Sequence, residues 1–410
     1  MKESILHTAG NKQAWLNFLE YKLEKQHLNH KEEQELRDFI EKESYLPLCQ
    51  LWKQGKYPTQ YPQKRTINKQ GARKKRIVYS FPGEEGILLK FIAFHLFRYD
   101  WYFCDNCYAF RRSFGVWEAM HRIRSTPSLG NMYCLKVDIS NYFNSIDVDL
   151  LLDKLSFIKD TDLPLYQLFE KILKEDRVCE NTKILLEKHG AMAGTPISPF
   201  FANVYLRDVD FYFKGQNVPY FRYSDDILIF ANSMEELENH RETLYSFISQ
   251  LRLQINPDKV TISFPGEPFE FLGFRCHKGE IDLSESTLRK TKAKIKRKAD
   301  SLRRWGRRKE LPYEKAAIGL IRAMNRKFYG ISKPEDAEDN ETDFGDFTWS
   351  RWFYPHLTTD KGLKIIDNYL QDYIRYTVTG RHYKGNYRIR YEQLKEWGYL
   401  SLVHEYYKTK

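Results

Sequence analysis

The sequence predicts an α+β protein. Short apolar and aromatic runs, at 132–138, 220–230 and 269–275, stop at turn residues after strand-like lengths. Long stretches between them, at 1–60, 234–252 and 289–309, repeat their apolar residues at helical spacing. No internal repeat links the two kinds of segment. With 410 residues the chain is too long for one simple domain and long enough to bury a large core.

In order, residues 1–60 read as helices. Trp15, Leu16, Phe18, Leu19 and Leu23 form one face, and Asn29 is placed to cap a second helix carrying Leu36, Phe39 and Ile40. Tyr57-Pro58 and Tyr61-Pro62 break that pattern. Residues 64–81 read as a basic hairpin, from Lys64-Arg65 through Lys75-Arg76 to the apolar Ile77-Val78-Tyr79, with Pro82-Gly83 ending it and a helix over 84–99. Cations on such a hairpin suit a triphosphate clamp, or simply a solvated edge that discourages strand pairing. The run 132–138 is a buried strand ending on Asp138, which is either a metal ligand or the cap of the next helix.

Residues 148–190 read as helices with Leu150, Leu151, Leu155, Leu165, Leu168, Phe169 and Ile172 facing inward. The Gly/Pro-rich loop 190–199 then opens a helix over 200–206, its small residues letting a ligand approach the backbone. In 220–230 two apolar strands flank Ser224-Asp225 at the turn and Asp226 beside it. One turn aspartate is ordinary. Two adjacent carboxylates raise each other's pKa unless a cation neutralises them, and Mg2+ takes such hard oxygens; the alternative is an acidic hairpin turn. A helix over 234–252, the segment 253–259 and a strand with central Gly273 over 269–275 follow.

Between Arg289 and Lys309 lie twelve basic residues and one acid, Asp300, around an apolar seam of Leu288, Ile295, Ala299 and Leu302. Like charges at i,i+4 repel, so such a helix suits a polyanion better than bare solvent. Residues 333–346 read as an acidic linker, and 347–410 as an aromatic and basic extension.

The net charge of +11 and the 15% aromatic content suit a partner with phosphates and flat bases. Six cysteines include one CxxC, Cys104 and Cys107, with no second pair to complete a zinc site; free thiols in a reducing cytosol are expected. Without an apolar leader or a spanning run, the expected place is the cytoplasm, with no membrane partner.

The ordered set of motifs resembles the palm of a reverse transcriptase. Val137-Asp138-Ile139-Ser140-Asn141-Tyr142-Phe143 resembles motif A, and Gly194-Thr195-Pro196-Ile197-Ser198-Pro199 motif B. Tyr223-Ser224-Asp225-Asp226 resembles motif C, Ile255-Asn256-Pro257-Asp258-Lys259 motif D, and Phe271-Leu272-Gly273-Phe274 the primer-grip motif E. Lys75-Arg76-Ile77-Val78 and Tyr108-Ala109-Phe110-Arg111 resemble the fingers motifs, so the likeness runs over about residues 60–330.

The resemblance implies a right-hand polymerase: an N-terminal helical segment (1–60), fingers (61–130), an antiparallel palm (131–283) with inserted fingers helices (148–190), a basic helical thumb (284–332), the linker and the extension. It implies catalytic metal ligands Asp138, Asp225 and Asp226, with the Ile139 carbonyl, for two Mg2+ ions (Mn2+ as the alternative). Lys75 or Arg76, Phe143, Gly194 and Lys259 would meet the dNTP, Phe143 as the steric gate. Arg111, Gly273, Lys292, Lys296, Arg303 and Arg307 would contact nucleic acid. The expected partners are a structured noncoding RNA template, a cDNA product and dNTPs.

The chain departs from the family pattern at Ala193, where Gln is common, and at Ser224, where Ala is commoner in bacterial enzymes. The absence of nuclease or integrase motifs disfavours a mobile-element enzyme. The tail resembles stand-alone bacterial defence-associated reverse transcriptases, nearest the type 2 group. Competing readings are untemplated, protein-primed synthesis of the abortive-infection type, a retron or group II intron enzyme, and an RNA-binding scaffold on an inactive polymerase fold.

Overall fold

A computed structural model of the chain describes residues 3–25, 28, 30–68, 75–330 and 348–410. The expected cap Asn29, the hairpin tip at 69–74 and the acidic segment 333–346 lie outside the described residues. The chain divides into two compact units, Met1–Ala119 with Asn131–Pro265, and Met120–Gly130 with Gly266–Lys410.

In the first unit, helices Lys12–Lys25 and Tyr45–Lys53 pack beside Gly83–Leu96, and His30–Glu41 packs on Lys12–Lys25. Trp15 is the pin: its ring stacks on Phe91 at 4.0 Å and its indole N–H donates to the Ala9 carbonyl at 2.8 Å. A large ring buried with its polar atom satisfied anchors a helix well.

Strands β1 (Gln63–Asn68) and β2 (Lys75–Ser80) form the basic antiparallel hairpin. β3 (Tyr133–Asp138) is the buried strand that ends on Asp138. The structure departs from the helical reading of 148–190 at its end. Helices Val148–Lys154, Ser156–Thr161 and Leu163–Leu173 are present, but β4 (Arg177–Glu180) and β5 (Lys183–Leu186) form a hairpin that joins the first, giving the order β2-β1-β4-β5. The reason is local. Asn181 and Thr182 both adopt positive φ (49° and 69°), the two-residue turn of a hairpin, and Leu186 is 79% exposed rather than on a helix's inner face.

The central sheet has the order β6-β7-β3-β8, with β6 (Tyr220–Tyr223), β7 (Asp226–Ala231) and β8 (Thr261–Ser263), all antiparallel. β7 is apolar through its middle and β3 is so apart from Lys136, with Leu135, Val137 and 227–231 fully buried or nearly so. Helices Ser198–Tyr205 and Met234–Gln250 belong to the same core.

In the second unit, β9 (Phe269–Phe271), β10 (Phe274–His277) and β11 (Glu280–Leu283) form a meander. The single strand expected over 269–275 is thus two strands. Leu272 (φ 52°) and Gly273 (φ 86°) make the turn between them. The basic helix Glu285–Arg308 packs on Tyr313–Tyr329 and Lys361–Thr379. Much of the tail's aromatic content fills this core: Trp349, Phe353, Tyr354 and Tyr406 are buried. Asp367, itself buried, accepts from Ser401 Oγ (2.6 Å) and the Leu402 amide (3.0 Å), fixing the last helix Leu402–Lys408 onto Lys361–Thr379. Among the described residues no helix is long and apolar enough to cross a membrane.

Candidate active site

The site grows from register. β3 and β7 run antiparallel with Asp138 directly opposite Asp226, and Tyr223 opposite Asp226 leaves Ser224-Asp225 as a two-residue turn. Directly opposed residues share a sheet face, so two carboxylates meet at the sheet's end and the third sits in the turn above them. Ser224 takes φ 62° there. Beyond β3 the chain is held on both sides. The Ile139 amide donates to the Asp225 carbonyl (3.3 Å), the Ser140 amide to Gln254 (2.7 Å), and Asn256 donates to the Asp138 carbonyl (2.9 Å).

Burial and mutual repulsion show in the electrostatics. Burial, then the neighbouring Asp138, raises Asp225, with Lys259 and Arg76 opposing. Burial pushes Asp226 up to about 6 against the pull of Lys136. Lys136 Nζ lies 3.4 Å from Asp226 Oδ2, and Lys259 Nζ lies 2.5 Å from Asp138 Oδ2. The lysines draw two carboxylates aside, and among the described residues no three His, Cys, Asp or Glu side chains converge as a ready ligand set. Asp226 Oδ1, however, is buried with no hydrogen-bond partner among the described residues. An orphaned carboxylate oxygen beside two more carboxylates is a donor set that fits a hard divalent cation.

The expected nucleotide residues lie in the same unit, and of them Arg76 and Lys259 act on the aspartates directly. Lys75 and Arg76 are adjacent on β2 and so point to opposite faces; it is Arg76 whose charge reaches Asp225. Phe143 is half-buried, its ring 6.0 Å from that of Phe110. Asn144 joins three motifs: its amide donates to Ile77 O (3.2 Å) and its Oδ1 accepts from the Ala193 amide (2.8 Å). Gly194, at φ 103°, brings the loop against β2, where a Cβ would stand 2.9 Å from Tyr79 O. The backbone that exploits this glycine is the protein's own.

Several expected contacts lie elsewhere. Arg111 is turned inward: its guanidinium binds Asp100 at 2.9 Å, donates to Cys104 O at 2.5 Å and stacks on Phe114 at 4.0 Å. Its donors serve the fold here rather than solvent. Gly273 belongs to the second unit, where a Cβ would meet Thr287 Oγ1 at 2.8 Å. On the basic helix, Lys296 and Arg307 are exposed. Lys292 lies over the Tyr369 ring (5.5 Å), and Arg303 lies over Tyr376 (5.2 Å) and donates to its hydroxyl (3.3 Å). Cys104 and Cys107 are buried free thiols.

One functional feature escaped the sequence reading. Arg222 is completely buried beneath the aspartate turn. It donates to Asp210 Oδ1 (2.7 Å) and Oδ2 (2.5 Å), to Asn203 Oδ1 (3.3 Å) and to the Ser224 carbonyl (3.2 Å). Tyr220 OH also donates to Asp210 (3.0 Å). A fork-to-fork pair of this kind fixes geometry as well as charge. The signal was an arginine inside an aromatic strand and an aspartate inside the apolar run Val209-Asp210-Phe211.

An antiparallel sheet that sets one strand-end aspartate against an aspartate-pair hairpin, in a unit that also holds a basic hairpin, is a palm-type arrangement. A family model described as reverse transcriptase (RNA-dependent DNA polymerase) matches residues 67–276, a little over half the chain. The chain belongs to that family. Its fold is accordingly of the right-hand polymerase class. Retron Ec86 reverse transcriptase of Escherichia coli is 26% identical over 175 residues, covering 42% of this chain and 51% of that protein. Retron Ec83 reverse transcriptase of the same organism is 29% identical over 148 residues, covering 32% and 44%. The chain thus spans about half the length of the curated relatives it matches. Among solved structures, apo telomerase from Candida tropicalis is similar at a TM-score of 0.48 and 10% identity, over 86% of this chain and 63% of that one. Telomerase from Candida albicans with a fragment of telomeric RNA is similar at 0.42 and 12%, over the same shares.

Proposed function

We propose that the protein is an RNA-directed DNA polymerase that adds dNTPs to a 3′-hydroxyl. The observation that carries this is the half-buried carboxylate trio: Asp138 opposite Asp226 in register, with Asp225 in the turn and one buried oxygen of Asp226 unpartnered. Two Mg2+ ions, or Mn2+, held by Asp138, Asp225, Asp226 and the Ile139 carbonyl would supply an acidified attacking hydroxyl and neutralise the triphosphate. The remaining work falls to the chain itself. Lys136 pairs with Asp226 and Lys259 with Asp138 before loading. Arg76, on the face of β2 turned to the site, and Lys259 supply positive charge for the triphosphate, leaving Lys75 on the other face. The Phe143 ring, braced by Phe110, excludes a ribose 2′-hydroxyl. The Asn144 bridge sets the loop at Gly194 against β2, fixing the floor on which the base pair would rest.

The finer reading is a bacterial antiphage role in which the protein copies a bound structured noncoding RNA. It is supported by the tail's likeness to defence-associated enzymes, by the exposed cations of the basic helix, and by the exposed rings of Tyr383 and Tyr387. A retron-type reading is favoured by the two retron relatives. Sequencing the nucleic acid that co-purifies with the protein separates them. One dominant folded RNA with unbranched cDNA supports the first, and DNA joined to its RNA template supports the second. Mg2+-dependent incorporation surviving in the double variant Asp225→Ala, Asp226→Ala would refute the catalytic assignment.

A further inference from the structure

The family match begins at residue 67, so the N-terminal helices stand outside it. They nevertheless wall a cavity of about 230 Å3 beside the active site, entirely within the first unit. Helix Lys12–Lys25 contributes Tyr21 and Lys22, helix Gly83–Leu96 contributes Lys90 and Phe94, and Phe110 and Phe200 close it. Sites for drug-sized ligands run roughly 300–1,000 Å3, so this one is scaled to a single small ring system. Its walls are aromatic and its two lysines belong to the helices either side.

The cavity has two further properties. Its inner wall, Phe110, is held at φ 58°, 41% exposed, with its ring 6.0 Å from Phe143 and 6.4 Å from Tyr223. A bulky residue in the left-handed region is unusual and calls for a reason. Here it aims the ring between the cavity and the sugar gate. The cavity also shares Lys90 and Pro196 with an adjoining cavity of about 620 Å3 that runs along Gly194 and Ser80. The track therefore follows the loop on which the templating base pair would rest.

We propose that this cavity takes one unpaired base of the template strand, just 5′ of the templating position, swung out of the strand and stacked among Tyr21, Phe94 and Phe110. Lys22 and Lys90 face the phosphates on either side, and the adjoining cavity gives the neighbouring nucleotides room. Stacking without base-edge readout makes the site tolerant of sequence, as a polymerase that must move along its template requires. The proposal rests on the polymerase reading given above. It adds that the N-terminal helices are half of the template entry.

The test uses the full chain and RNA primer–templates, without nucleotides, so that binding is read apart from catalysis. With 4-thiouridine at each of the first three unpaired template positions in turn, irradiation should crosslink one position to a peptide holding Tyr21, Phe94 or Phe110. Removing the base at that position should weaken wild-type binding roughly tenfold and change the binding of Tyr21→Ala little. Should Tyr21→Ala fold poorly, Lys90→Ala, an exposed change, should flatten the log K against log salt slope by roughly 0.7. Crosslinks confined to other peptides, or equal sensitivity to the missing base in wild type and Tyr21→Ala, would overturn the cavity assignment while extension by the wild type left the polymerase reading standing. A protein that bound no primer–template would overturn both.

Discussion

Asp226→Asn should make the metal-free protein more stable while removing its activity. In the free chain Asp226 is ordinary, near 3.8; in the fold, burial lifts it to about 6. A carboxyl raised on folding holds its proton more tightly in the native state, so unfolding releases a proton and stability falls as pH rises. The contribution is fully present below about pH 4 and is lost as pH climbs through 6. Two units at ~1.36 kcal/mol each give a cost of about 3 kcal/mol at pH 7.5. The ion pair with Lys136 that the substitution removes is part-exposed and returns at most about 1 kcal/mol of that. A net gain of about 2 kcal/mol corresponds to roughly 4–8 °C in apparent Tm for a unit of this size. Differential scanning fluorimetry in chelator at pH 5 and 7.5 reads it directly. The wild type should lose stability between those values and regain it on Mg2+ addition, whereas Asp226→Asn should respond much less to either. A variant that melts below wild type at pH 7.5 in chelator would refute the argument, since it would mean that the ionised carboxylate is stabilised rather than strained.

Three other outcomes follow from the geometry. Phe143→Ala should raise ribonucleotide use relative to deoxyribonucleotides, seen as a changed ratio of kcat/KM; a wild type that already prefers ribonucleotides would contradict the gate. Asp210→Ala should destabilise by about 3–5 kcal/mol, because it strands the buried Arg222, and adding Arg222→Met should recover much of the loss in a denaturation series. Neutralising Lys296 and Arg307 should flatten the salt dependence of RNA binding by roughly 0.7–0.9 per lost phosphate contact, while Arg303→Ala should chiefly lower the melting temperature of the second unit.

What was legible in the sequence was what depends on near neighbours. The aspartate hairpin could be read because two apolar strands and a two-residue turn are local, and Asp138 because a buried strand announces its own end. The hairpin 177–186 was missed because its leucines continue a helical spacing, and only the Asn181-Thr182 turn contradicts it. The inward turn of Arg111 could not be read, since Asp100 and the Cys104 carbonyl reach it only through folding. The tail's tyrosines and tryptophans looked like a binding surface because composition does not distinguish a ring in a core from a ring on a face. Arg222 was visible only as an oddity, since its partners lie 12 and 19 residues back along the chain and further.

The buried arginine has a consequence for how such a chain can vary. Its fork is shared by the Asp210 and Asn203 side chains and the Ser224 backbone carbonyl, so the side chains at 203, 210 and 222 are one unit. A change at any one leaves a charge or donor stranded, and only a matched change elsewhere in the set relieves it. Drift at these sites should therefore come in concerted steps, with single substitutions selected against even where the matching pair is harmless. Transplanting the aspartate turn between relatives should succeed only when its arginine and that arginine's acceptors travel together.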